Sequence, residues 1–107
     1  TSKEAFYHGL SLGMLSYLDD NYYVTSNFEA GFGRYDVILE PKNKSNMAFI
    51  LEFKVADNEN KLEKLSEEAI TQIEEKKYGV NLKSKGIENI TFVGIAFYRK
   101  NLKVSYK

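Results

Sequence analysis

One stretch, Met47-Ala48-Phe49-Ile50-Leu51-Glu52-Phe53-Lys54-Val55, constrains the fold of this chain more than any other. It is apolar until Glu52, and such a run bounded by polar residues reads as a strand covered on both faces, in the middle of a sheet. Side chains alternate along a strand, so Ala48, Ile50, Glu52 and Lys54 share one face and Phe49, Leu51, Phe53 and Val55 the other. A carboxylate and an ammonium therefore emerge on one face, roughly 6–7 Å apart along the backbone. Charges at the end of a buried segment cost free energy unless they are paired or bound to an ion.

The flanking sequence supplies the rest of a small α/β domain. From Glu4 to about Asp19, Phe6, Leu10, Met14 and Leu18 recur at helical spacing, with Ser2 ahead as an N-cap and Asp19-Asp20-Asn21 as the stop. Tyr22 to Phe28 is rich in β-formers, Gly31 and Gly33 bracket a turn, and Arg34 to Glu40 forms a second strand ended by Pro41. After the Met47–Val55 strand and a polar connector, Leu62, Leu65, Ala69 and Ile73 mark an amphipathic helix. That helix runs to about Tyr78, with an outer limit at Lys85, and Gly86 stops it. Ile90–Tyr98 and Leu102–Tyr106 follow as a hairpin across Arg99-Lys100-Asn101. The order is α-β-β-β-α-β-β. The helix after the third strand is long enough for a crossover, so the third and fourth strands are expected to be parallel in a mixed sheet.

Composition narrows the chemistry. The chain has 107 residues, the length of one domain, with 43% hydrophobic residues and fifteen basic against fifteen acidic side chains. No net field draws it to nucleic acid or an anionic membrane, so any such contact must be local. There is no cysteine and a single histidine, His8, which excludes disulfides, thiolate zinc sites and multi-histidine metal sites. A bound metal would rest on carboxylate oxygens, which favours Mg²⁺ or Mn²⁺. No apolar run approaches the roughly 20 residues of a membrane span, and no secretory signal is visible, so a cytoplasmic setting is expected. The start at Thr1-Ser2-Lys3 points to a fragment of a longer chain.

Asp36 completes the pattern. If the second and third strands pair as an antiparallel hairpin, the start of one lies beside the end of the other, and Asp36 lands next to Glu52 and Lys54. Two converging carboxylates without an arginine form a hard-cation site. A divalent ion there polarises a phosphate oxygen and lowers the pKa of a coordinated water, while Lys54 orients that water or stabilises developing charge. That chemistry hydrolyses a phosphodiester.

These residues, in α-β-β-β-α-β order, resemble the PD-(D/E)XK nuclease superfamily over essentially the whole chain. Glu29 to Asp36, Leu39-Glu40-Pro41, Leu51 to Lys54, Gln72 to Tyr78 and Gly94 to Tyr98 look like a bacterial branch in which the nuclease-like domain follows an AAA-ATPase-like domain. The resemblance implies a restriction-endonuclease-like mixed central sheet flanked by helices. It also implies Asp36, Glu52 and the backbone carbonyl of Phe53 as ligands to Mg²⁺ or Mn²⁺, with Lys54 as the catalytic lysine. The nominal Pro-Asp is Tyr35-Asp36 here. RecB-like members add a first-helix histidine as a metal ligand and a glutamine and tyrosine on the second helix; His8, Gln72 and Tyr78 are the candidates, although the Gln72-to-Tyr78 spacing departs from the pattern.

Each reading has a plainer rival. Glu52 and Lys54 could be a surface ion pair, His8 an ordinary histidine near a helix start, and Gln72 a core-edge amide bonded to backbone. Glu29 and Arg34 flank the glycine turn, either as a substrate edge or as a solvated pair. The lysines at 76, 77, 83 and 85 could track a phosphate backbone but read better as a solvated helix face. The fifteen Tyr and Phe residues sit mostly at core spacing. Three functions stay open: a Mg²⁺-dependent nuclease acting on DNA, a catalytically silent binding or regulatory module beside an AAA-ATPase-like domain, and a nuclease active only as a homodimer or with its partner domain.

Overall fold

The computed structural model describes residues 20–29 and 34–107. The expected helix over 4–19, His8 and the glycine turn at 31 and 33 lie outside them. The described chain forms β1 (Tyr22–Glu29), β2 (Arg34–Pro41), β3 (Ala48–Val55), a short 3-10 turn (Glu59–Lys61), α1 (Leu62–Glu75), α2 (Tyr78–Ser84), β4 (Ile90–Tyr98) and β5 (Asn101–Tyr106). The strands make one sheet in the order β1-β2-β3-β4-β5. Among the described residues β3–β4 is the one parallel pair, and the neighbouring pairs are antiparallel. The third strand is central, as its apolar run requires, and the helices make the crossover that a parallel pair needs.

The two faces of the sheet carry different cores. On one, Tyr35, Val37, Leu39, Phe53, Ile95 and Phe97 are buried together. On the other, Ala48 and Ile50 pack with Ile73, Leu82 and Ile87 from the helices and the segment that follows them. Helix α1 buries Leu62, Ser66, Ala69, Ile70 and Ile73, the inward stripe of a 3.6-residue repeat. Its seat is set by Gly94 on β4: a Cβ there would lie 2.0 Å from the Ser66 carbonyl oxygen, so only glycine lets the helix backbone come so close.

The second helix differs from its predicted form. It is not continuous to Tyr78 or Lys85 but breaks after Glu75, with Lys76 extended at φ −82°, ψ 157° before α2 begins. No proline or glycine forces the break. Leaving the helix forfeits about one backbone hydrogen bond, on the order of 1 kcal/mol, and Lys76 gains a charged contact on the sheet. The predicted stop at Gly86 is present, with φ +93°. The Ile87 amide donates to the Leu82 carbonyl at 3.1 Å and the Gly86 amide to that of Lys83 at 2.9 Å, the paired bonds of a Schellman cap. Among the described residues no helix is long and apolar enough to cross a membrane.

Candidate active site

Strand register builds the site. Asn27 pairs with Asp36, Asp36 with Glu52, Glu52 with Gly94 and Gly94 with Ser105, so one row crosses all five strands. Cross-strand partners share a face, which puts the polar side chains of this row under the helices. The helical segments answer them in order. Ser66 and Ser105 hydroxyls lie 2.6 Å apart over Gly94. The Lys76 ammonium bonds Asp36 Oδ2 and lies 3.9 Å from Glu52 Oε1. The Tyr78 hydroxyl donates to Asp36 Oδ2 at 3.2 Å and accepts from Asn27 Nδ2 at 3.1 Å.

The hairpin argument is thus met: Asp36 and Glu52 are direct partners on adjacent strands, 1% and 0% exposed. Asp36 Oδ1 and both Glu52 carboxylate oxygens lack a hydrogen-bond partner among the described residues. Burial raises the Glu52 pKa to about 8, helped by contact with the Asp36 carboxyl and opposed by the Lys54 and Lys76 charges. Two ionised carboxylates cannot donate to each other; a proton on Glu52 would supply the missing donor. Burial also raises the Tyr78 phenol.

Lys54 stands two residues beyond Glu52 on the same face, half-buried and near enough for its charge to favour ionised Glu52. The Phe53 side chain turns to the opposite face, against Tyr35 and Phe97 at ring-centroid distances of 5.7 and 6.0 Å, leaving only its backbone for the acid face. Tyr35 belongs to that aromatic face too, so the departure from Pro-Asp leaves the Asp36 carboxylate in place. Gln72 is half-buried on α1 one turn before Lys76, and its Oε1 has no hydrogen-bond partner among the described residues. Glu29 and Arg34 are backbone partners at the mouth of the β1–β2 hairpin. His8 lies outside the described residues.

Lys76 overturns the solvated-face reading for one of the four lysines. Lys77, Lys83 and Lys85 are exposed, and Lys85 pairs with Glu40 at 2.8 Å. Lys76 instead reaches the acid pair. The signal was in the sequence: Leu62, Ser66, Ala69, Ile73 and Lys76 follow one another at spacings that keep to one helical stripe, the buried one.

The donor set fits a hard divalent ion. Three oxygens of two adjacent buried acids have no hydrogen-bond partner among the described residues, and Mg²⁺ is commonly held by one or two carboxylates, with water completing its shell. Among the described residues no group of three or more Asp, Glu or His side chains gathers, so the remaining positions would fall to water, backbone or substrate oxygens.

The family model described as the PD-(D/E)XK nuclease superfamily matches residues 2–107. No curated protein and no solved structure matches significantly. The five-stranded mixed sheet with its two helices accords with the restriction-endonuclease-like fold of that family.

Proposed function

The chain belongs to the PD-(D/E)XK nuclease superfamily, and on that premise we propose that it hydrolyses phosphodiester bonds of nucleic acid, DNA foremost, with Mg²⁺ or Mn²⁺ bound by Asp36 and Glu52. The supporting observation is the buried pair of acids, register partners on central strands, with three oxygens left unpartnered among the described residues. When bound, the ion supplies Lewis acidity toward a phosphate oxygen and acidifies a coordinated water. Asp36 and Glu52 would hold it, with the Phe53 carbonyl as a third donor. Tyr78, fixed by Asn27, holds the Asp36 carboxylate in one orientation. Lys54 orients the attacking water and stabilises charge developing on the phosphate. Gln72, with its unpartnered oxygen, is an auxiliary residue at the substrate edge.

A second reading, a silent binding or regulatory module attached to an AAA-ATPase-like domain, draws support from Lys76, whose ammonium already compensates the acids. Plasmid cleavage in Mg²⁺ separates the two. Wild type should nick or linearise DNA while Asp36→Ala and Lys54→Ala fall to background; equal background from all three would end the enzyme reading.

A further inference from the structure

We propose that Lys76 is a resident counter-cation of the acid pair, and that a divalent ion enters by displacing its ammonium; this rests on the metal reading above. The ammonium contacts oxygens of both carboxylates that would hold the ion, Asp36 Oδ2 and Glu52 Oε1, and so occupies the position between them. Two cations cannot share that position, because their repulsion in a poorly solvated site is large. The ammonium hydrogen-bonds a single oxygen of the two carboxyl groups, Asp36 Oδ2, and leaves the other three without a hydrogen-bond partner among the described residues. A divalent ion can take several oxygen ligands at once.

The geometry gives Lys76 somewhere to go. Its backbone has already left the helix, so moving the side chain breaks no helical hydrogen bond. The side chain is 20% exposed, whereas the acids it contacts are closed to solvent. It also lines an open cleft of about 340 Å³ between α2 and β4, which holds the Glu88 carboxylate and that of Glu74, the latter already paired with Lys107 at 3.1 Å. Withdrawal into this cleft would release both Asp36 and Glu52 from the ammonium. The Tyr78 ring, its centroid 5.7 Å from the ammonium, gives a cation–π contact that the displacement would forfeit.

Amine acetylation of the wild-type protein, read by mass spectrometry at each lysine, tests this with and without Mn²⁺, with calorimetry reporting ion binding on the same sample. Lys76 should be protected without the ion and label several-fold faster with it, while Lys85 stays constant. Lys76→Met should bind Mn²⁺ about ten-fold more tightly than wild type, and Lys76→Arg should not. Ion binding with Lys76 still protected would overturn the displacement and leave the metal reading intact, as would unchanged affinity in a folded Lys76→Met. No ion binding by wild type would overturn both.

Discussion

Two lysine–carboxylate pairs stand on the same face of β2, and they differ in almost everything but chemistry. Lys85 meets Glu40 at 2.8 Å with side chains 55% and 22% exposed. Lys76 meets Asp36 with side chains 20% and 2% exposed. The first is an ordinary surface pair, screened by water and contributing about 0–1 kcal/mol. The second has surrendered hydration that its mutual attraction barely repays. It sits beside another buried acid, which deepens the cost. Stability accounts for neither the acids nor their placement. A site that needs carboxylates in a dry, shaped position would, and the Lys76 ammonium lies against both of them.

The contrast should be widest in ion binding. Asp36→Asn is expected to abolish Mn²⁺ binding by calorimetry, and Glu40→Gln, on the same strand face, to leave it unchanged; equal affinities would erase the distinction. Folding stability should separate the pairs next. In metal-free buffer, urea unfolding should show Lys76→Met less stable by about 3 kcal/mol, the low end for a broken buried pair because Lys76 keeps some exposure to solvent. Lys85→Met should stay within about 1 kcal/mol of wild type.

The smallest signal is a slope. Glu52 titrates near pH 8 in the folded protein against 4.5 when unperturbed. Between those values the native state holds the extra proton, so metal-free stability should fall as pH rises, by at most about 1.4 kcal/mol per unit, and level off above about 8. Glu52→Gln should flatten the slope, and a wild type already flat there would contradict the burial argument.

Much of this was legible in the sequence because it is governed by local rules. The apolar run ending in Glu52 and Lys54 identified the central strand, and alternation fixed which side chains share a face. The fourth strand falls on Ile90–Tyr98 as expected, and the helix stop at Gly86 follows from its left-handed φ. The Asp36–Glu52 meeting needed one further assumption, an antiparallel hairpin, which the register bears out. The helix break was not legible. No breaker residue marks it, and its cause is a contact with Asp36, forty positions away. A lysine among Glu75, Lys77 and other charges reads as solvated until the stripe through Ile73 is carried one step further. Tyr78 was reached only through family resemblance, since nothing about an isolated tyrosine announces a bond to a distant carboxylate.

The absent side chain at Gly94 has a consequence for the chemistry. Glu52 stands between Asp36 on one flank and Gly94 on the other, and α1 rests directly on that glycine. The clearance between helix and sheet is therefore gauged at one point by a missing methyl group. A shim there would tilt the lid that carries Lys76 and Tyr78, parting both from the carboxylate they hold. Residue 94 bears neither charge nor side chain, yet it sets the clearance over the whole polar row.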